Sequence, residues 1–257
     1  MSAVADSATM LRRNVKHSVR YLAMTLSGLL LPVAMMLMFV YIFGGAMGSA
    51  LSGGLGGSYI DYLAPGILVM AVGAGSAATA VSVAVDMNDG IIARFRTMAI
   101  ARTSVLTGQV VGSTIRTLIS IALVVGVAFA IGFRPAAGPL AWLGAIGLLA
   151  LLILAFTWLA VAFGLVVRSA EGANMASMPM QFLPLVSSAF IAPELMSGGI
   201  RWFAEYQPFT PIIDTLRGLL LGTPIGNSGY LAVAWCVGLM LVGFLWARSA
   251  FNRDPKQ

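Results

Sequence analysis

The chain has 257 residues, of which 59% are hydrophobic and 9% are charged, whereas an average soluble domain carries about 25% charged residues. This apolar excess excludes a soluble enzyme, a nucleic-acid-binding domain and a disordered chain, because no water-soluble globule can bury so much apolar surface. The net charge of +6 does not restore the nucleic-acid class, since most cations lie at the edges of apolar runs and are explained by membrane topology.

Residues 9–22 predict a basic amphipathic helix at the membrane surface. Leu11, Val15, Val19 and Leu22 recur at helical spacing on one face, as in helices that lie in the membrane interface. The basic residues of this helix are Arg12, Arg13, Lys16 and Arg20. The helix is interpreted as a topology anchor or as a gate that transmits movement to the first span. The long apolar run that follows favours a membrane span over a cleaved signal peptide.

Six apolar runs are long enough to cross a bilayer, which takes about 20 residues in a helix. They cover residues 26–43, 63–85, 114–133, 140–167, 174–192 and 230–247. The fifth run is the most polar of the six. We therefore expect one all-α polytopic transmembrane domain over residues 1–257, with six transmembrane helices.

The cations predict the orientation of this domain, because cytoplasmic loops are enriched in Lys and Arg. The cations assigned to the cytoplasm are Arg12, Arg13, Lys16, Arg20, Arg94, Arg96, Arg102, Arg168, Arg248, Arg253 and Lys256. Those assigned to the outside are Arg134, Arg201 and Arg217, while Arg116 is expected to snorkel near the cytoplasmic end of the third span. The bias predicts a multi-pass protein of the cell (inner or plasma) membrane with both termini in the cytoplasm.

The segment 86–102 between the second and third spans predicts a cytoplasmic knob for another protein. Ile91, Ile92, Phe95 and Met98 recur at helical spacing, and Asp86 or Asp89 is expected to cap a short helix. The candidate docking residues are Asp86, Asp89, Gly90, Arg94, Phe95, Arg96 and Arg102. The alternative is a linker whose arginines serve the positive-inside rule alone.

The segment 193–229 between the fifth and sixth spans contains four prolines and cannot form one continuous helix. Its apolar stretches predict an external hairpin of two short re-entrant or interfacial helices, hinged near Pro208 and Pro211. Glu194, Glu205, Asp214 and Arg217 lie on these predicted helices. For Asp214 and Arg217, three residues apart, a local salt bridge is favoured over a substrate contact.

The sequence lacks the residues that several transport and catalytic mechanisms require. No Asp or Glu interrupts the six runs, which argues against an ion-coupled carrier. The two lysines do not form a phosphate-binding loop, and no constellation of His, Cys and carboxylates predicts a catalytic or metal site. We expect no cofactor in this chain, and any transport energy would come from a partner.

Three motifs in a fixed order carry a family resemblance. They are Tyr62-Leu63-Ala64-Pro65-Gly66-Ile67, then Gly90-Ile91-Ile92-x-Arg94-Phe95-Arg96 with Arg102, then Pro208-x-x-Pro211 followed by Arg217-Gly218. Together with the order of the predicted elements, they resemble the ABC-2 family of ABC transporter permeases, specifically the daunorubicin-resistance type. Ala93 and Ala99 depart from a pattern in which many relatives have an acid and a proline.

The resemblance implies an exporter subunit that hydrolyses no ATP itself. It would pair with a second copy or a related permease and with two ABC ATP-binding subunits, which carry ATP and Mg, and residues 86–102 would hold the coupling helix. We expect the first, second and fifth spans to line the path of an amphipathic drug, antibiotic or lipid. The candidate path residues are Met35, Met38, Asn174, Ser177, Gln181 and Ser187. The alternatives are export of a lipid-linked glycan or cell-envelope lipid, or a non-transporting scaffold or sensor subunit.

Overall fold

A computed structural model describes residues 22–45, 58–88, 102–167 and 169–252. Among these residues every regular element is helical. The helices are α1 (Leu22–Met38, continued by a π turn over Phe39–Phe43), α2 (Tyr59–Asn88), α3 (Arg102–Ile131), α4 (Pro139–Val166), α5 (Ala170–Phe182), α6 (Gly198–Tyr206), α7 (Phe209–Leu221) and α8 (Ser228–Asn252). Two 3₁₀ turns cover Leu183–Val186 and Pro193–Leu195. The described residues therefore form an all-α structure, as predicted.

Four helices are long and apolar enough to cross a membrane. They are Tyr59–Asn88, Thr107–Ile131, Pro139–Val166 and Ser228–Phe251, and they coincide with the second, third, fourth and sixth predicted spans. The first predicted span falls in α1, whose apolar part Leu30–Phe43 is shorter than these helices. Four of the six predicted spans thus have the length of a full crossing among the described residues.

The fifth predicted span is not one continuous helix. α5 has 13 residues, and the 3₁₀ turn Leu183–Val186 and an irregular stretch follow it. Pro184 has no N–H for an α-helical hydrogen bond, and its ring clashes with the carbonyl of the residue four positions earlier, so the α-helix ends at Phe182. The prediction of a single helix over 174–192 is therefore corrected to a short helix with a broken continuation.

α2 lies at the centre of the helical bundle. It packs against α1, α3, α4, α5 and α7, while α8 packs along α4. Of the most apolar stretch of α2, 78% is buried inside the molecule, against 28% for α3 and 22% for α8. The exposed apolar faces of α3 and α8 suit contact with lipid, which solvates apolar side chains as well as a protein core does.

Two glycines allow the broken fifth segment to lie against α2. A Cβ added at Gly66 would be 2.5 Å from the Cβ of Ala189, and one added at Gly73 would collide with the carbonyl oxygen of Met180. The two contacts pair early α2 with late fifth-segment residues, so the segments run antiparallel. Small residues let helix backbones approach closely in membrane proteins, and here they bring the turn at residues 187–190 close to the start of α2.

Candidate functional site

Arg217 on α7 is the most highly connected buried charge in the described part of the chain. Its residue surface is 8% exposed. Its guanidinium donates through Nη1 to Asp214 Oδ1 at 2.8 Å and through Nη2 to the Ser188 carbonyl at 2.6 Å. Nη2 and Nε also approach the Tyr62 carbonyl at 3.2 and 3.4 Å, and the guanidinium carbon lies 3.9 Å from the centre of the Tyr62 ring. One side chain therefore joins α2, the turn at residues 187–190 and α7.

Two hydroxyl groups complete these connections. Ser188 donates from Oγ to Asp214 Oδ1 at 2.6 Å, and its backbone N–H donates to Thr210 Oγ1 at 3.3 Å. Thr210 in turn donates to the Ala204 carbonyl at 2.5 Å. We call Tyr62, Ser188, Thr210, Asp214 and Arg217 the Arg217 cluster. Because each charge in the cluster has a hydrogen-bonding partner, the desolvation cost of burying Arg217 is offset.

The Arg217 cluster brings residues of the first and third sequence motifs into contact. The predicted local salt bridge between Asp214 and Arg217 is present at 2.8 Å. In addition, Arg217 of the third motif bonds to Tyr62 of the first, 155 positions away in the chain. The sequence suggested the pair within α7 but not Ser188, Thr210 or the Tyr62 carbonyl as its partners. A charge predicted in an apolar environment was the signal that such partners exist.

The external hairpin divides into two helices near Pro208 and Pro211, as predicted. α6 ends at Tyr206 and α7 begins at Phe209, with Gln207 in an extended conformation before Pro208, as the residue before a proline prefers. The buried Gln207 side-chain amide donates to the Val186 carbonyl. α7 is buried except at Asp214, Leu219 and Leu221, which are partly buried. α7 is therefore part of the core rather than a surface helix.

α6 is largely exposed and amphipathic. Arg201 donates from Nε to Glu205 Oε1 at 2.7 Å, and this hydrogen bond raises the pKa of the Arg201 guanidinium. The Trp202 and Tyr206 rings are 5.4 Å apart and exposed, and Glu194 is exposed in the preceding 3₁₀ turn. Exposed Trp and Tyr rings are typical of a membrane–water interface.

The predicted docking residues fall at the other end of α2. Asp86 lies inside α2, so it does not cap a helix in the following loop as expected, and Arg102 is the first residue of α3. α2 and α3 are held together near these ends, where Gln109 Nε2 donates to Ser82 Oγ at 3.2 Å. Asp89, Gly90, Arg94, Phe95 and Arg96 lie outside the described residues, as do Arg12, Arg13, Lys16 and Arg20. The segment 89–101 thus joins two neighbouring helix ends.

The predicted path residues are divided between two regions. Met35 is half-buried and Met38 exposed on α1, which packs on α2 and α3, whereas α5 packs on α2 and α4. On the fifth segment, Asn174 is exposed and Gln181 is half-buried. Ser177 and Ser187 are buried, and their hydroxyls donate to the carbonyls of Ala173 and Pro184.

Arg116 lies at the contact between α3 and α2, and its snorkelling toward the cytoplasmic end stays a prediction. Its side chain is turned inward from α3, and Nη2 donates to Thr79 Oγ1 of α2 at 3.1 Å. The contact places a positive charge between two membrane-spanning helices.

Comparison with known proteins gives a consistent result. A sequence model of the ABC-2 type transporter family matches residues 7–221. The daunorubicin resistance ABC transporter permease protein DrrB1 of Streptomyces coeruleorubidus is 28% identical over 241 residues, which are 93% of this chain and 81% of that protein. The probable doxorubicin resistance ABC transporter permease protein DrrC of Mycobacterium tuberculosis, in strains CDC 1551 / Oshkosh and ATCC 25618 / H37Rv, is 24% identical over 183 residues. This second alignment covers 70% of the present chain and 65% of DrrC. The family match includes all three motifs and every member of the Arg217 cluster.

Proposed function

Because this chain belongs to the ABC-2 type transporter family, we propose that it is the membrane subunit of an ATP-driven exporter whose ATP is hydrolysed by a separate subunit. The family match over 7–221 carries this proposal. Neither lysine lies in a phosphate-binding loop, so ATP and Mg would bind the partner. Two copies of this chain, or this chain and a related permease, would assemble with two ATP-binding subunits.

The ATP-binding subunit docks on the segment 89–101, with Arg94, Phe95 and Arg96 at the contact. The supporting observation is that this segment connects the paired ends of α2 and α3. A push on the segment therefore acts on both helices at once. Arg94, Phe95 and Arg96 are residue types that are enriched in protein–protein contacts.

α2 connects the docking end to the Arg217 cluster. It is a helix of 30 residues, about 45 Å long at 1.5 Å per residue, with Asp86 near one end and Tyr62 near the other. A tilt of α2 driven by the partner shifts the Tyr62 carbonyl and ring relative to Arg217. The external hairpin then moves with α2, which couples ATP binding to opening of the opposite side.

The substrate is an amphipathic drug, antibiotic or lipid that moves out of the cell. The names of the similar proteins refer to daunorubicin and doxorubicin resistance, so that class of compound is the first to test as a substrate. α1, α2 and the fifth segment of two copies line the path, which includes Met35, Met38, Asn174 and Gln181. The hydroxyls of Ser177 and Ser187 are bonded to their own backbone, so they contribute less to substrate contacts.

Export of a lipid-linked glycan is the weaker alternative, because sugar transport favours exposed aromatic platforms. Trp158 packs edge-on against Phe244 with ring centres 5.0 Å apart, and Trp142 stacks with Phe129 at 6.4 Å. These two tryptophan rings serve helix packing.

The test is reconstitution of the full chain with a candidate ABC ATP-binding subunit. We expect vesicles whose ATPase activity rises with an anthracycline or an envelope lipid. Replacement of Arg94, Phe95 and Arg96 by Ala should abolish assembly, while the control Arg201→Ala, at an exposed pair on α6, should not. Unchanged assembly of the triple variant would contradict the docking site, and assembly without stimulated ATPase or transport would favour a scaffold or sensor.

A further inference from the structure

Arg116 is the single charged residue in the stretch Thr107–Ile131 of α3. It lies nine residues after Thr107, about 13 Å along the helix axis. It also lies two positions inside the apolar run 114–133, near the end of that run that is assigned to the cytoplasm. An ionisable group at such a position is costly unless it has a function or a partner.

The surroundings of Arg116 are rich in buried hydroxyl groups. The neighbouring hydroxyl residues of α2 and α3 are Ser76, Thr79, Ser113, Thr117 and Ser120, each less than 9% exposed. Ser113, Arg116 and Ser120 share one face of α3, because they are spaced by three and four positions. A polar seam therefore runs along the contact between α2 and α3.

A glycine lets α2 and α3 approach each other closely along the polar seam. A Cβ added at Gly75 would lie 2.6 Å from Thr117 Oγ1, so the two helices approach closely one turn from the bond between Arg116 and Thr79. The Thr79 hydroxyl donates to the Gly75 carbonyl at 3.1 Å, which leaves its oxygen free to accept from Arg116. The guanidinium is thus positioned by α2 rather than directed out along α3.

The Arg116 guanidinium has more hydrogen-bond donors than the described residues around it supply acceptors. A guanidinium has five N–H groups, and among the described residues the Arg116 guanidinium donates to the Thr79 hydroxyl. No carboxylate of the described residues lies within 4.0 Å of it. Thr117 Oγ1 is buried without a hydrogen-bond partner in the same part of the chain. Thr117 Oγ1 is enclosed by the close contact with Gly75, whereas the remaining N–H groups of Arg116 suit an oxygen-rich anion.

We propose that Arg116 binds the phosphate group of an anionic membrane lipid at the edge of the contact between α2 and α3. Arg binds phosphate through paired N–H donors, and its delocalised charge is less strongly hydrated than an ammonium group. The lipid phosphate neutralises a charge that the described part of this chain does not neutralise. This inference does not depend on the exporter function, because the site lies within one chain.

The test uses the full chain in lipid nanodiscs that contain phosphatidylcholine and spin-labelled phosphatidylglycerol or spin-labelled phosphatidylcholine. The measured quantity is the fraction of each labelled lipid that the protein immobilises. We expect Arg116→Gln to lower the wild-type preference for phosphatidylglycerol by about fivefold, the effect of one cation near an anionic headgroup. Arg116→Lys, which keeps the charge but not the paired donors, should retain part of it.

The matched control is Arg134→Gln. Arg134 is exposed between α3 and α4, and its guanidinium donates to the carbonyls of Phe129 and Phe133 at 3.0 Å. This variant should keep the full preference. Wild type without a preference, Arg116→Gln with an unchanged one, or an equal loss in Arg134→Gln would each overturn the proposal. Displacement of the labelled lipid by excess inorganic phosphate would assign the site to a soluble anion and also overturn it.

Discussion

Replacing Arg217 with Met removes the central charge of the Arg217 cluster while keeping an unbranched apolar side chain of similar length. The change leaves the Asp214 carboxylate without its ion pair and the Ser188 carbonyl without its donor. Each is a short hydrogen bond to a charged group, worth about 1.5–3 kcal/mol. The carbonyl of Tyr62 loses its longer contact with the guanidinium as well.

The expected loss is smaller than the sum of these bonds. The Asp214 side chain is 35% exposed, so water rehydrates the carboxylate in the variant, whereas the Arg217 side chain is 10% exposed. Breaking a fully buried pair costs about 3–5 kcal/mol, and the exposure of Asp214 places the expectation for Arg217→Met near the lower limit, at about 3 kcal/mol. Arg217→Lys should cost less, because it keeps the charge but loses the paired donors and the planar contact with Tyr62.

The assay is reversible unfolding of the purified chain in mixed micelles, followed by tryptophan fluorescence. A double-mutant cycle with Asp214→Asn isolates the coupling between the two side chains. Arg201→Ala is the control, because its pair with Glu205 spans i and i+4 on a solvent-exposed helix and should have no measurable effect. A loss below about 0.5 kcal/mol for Arg217→Met, the scatter of ordinary surface substitutions, would refute the assignment of Arg217 as a structural link.

Three further outcomes are expected. Gly73→Ala should reduce the yield of folded protein, because its Cβ would collide with the backbone carbonyl of Met180. The control Gly126→Ala should be tolerated, since no atom lies within 4 Å of the added group. Equal yields would contradict the close contact of α2 with the fifth segment. Ser188→Ala should cost about 1 kcal/mol in the same unfolding assay, since it removes one side-chain hydrogen bond, and no loss would argue against the bond. Cys236 is fully buried, so it should react with a maleimide in denatured protein but not in folded protein. Mass spectrometry would detect the added label. Rapid labelling of the folded chain would contradict the packing of α8 on α4.

The sequence alone predicted the features that depend on local composition. Apolar runs located the four long helices, because a helix that crosses a bilayer satisfies its own backbone and needs only enough apolar residues. Pro208 and Pro211 predicted that the hairpin divides into two helices, and the spacing of Asp214 and Arg217 predicted the ion pair between them. Both features could be predicted because each depends on residues that are close together in the chain. The orientation of the chain and the docking role of residues 86–102 remain predictions.

The fifth predicted span contains two prolines: Pro179 lies inside α5, whereas the α-helix ends before Pro184, so the sequence did not indicate where the span breaks. A hydropathy window counts apolar residues and does not register a missing N–H group. The structure separates α5 from the turn at residues 187–190 and places that turn against Gly66. The broken segment is stabilised by this packing and by the hydrogen bonds of Ser188.

The tertiary structure alone decided which helix is central and which groups meet. Lipid and protein core are almost equally apolar, so the sequence of a transmembrane helix carries little information about which face is buried. For this reason the sequence did not distinguish α2, the most buried long helix, from α3 and α8, which expose most of their apolar surface. It also did not indicate that Arg217 reaches the Tyr62 carbonyl or that Arg116 turns toward Thr79. Composition determined that the chain enters the membrane, and packing between distant segments determined where its few charges lie and what they bind.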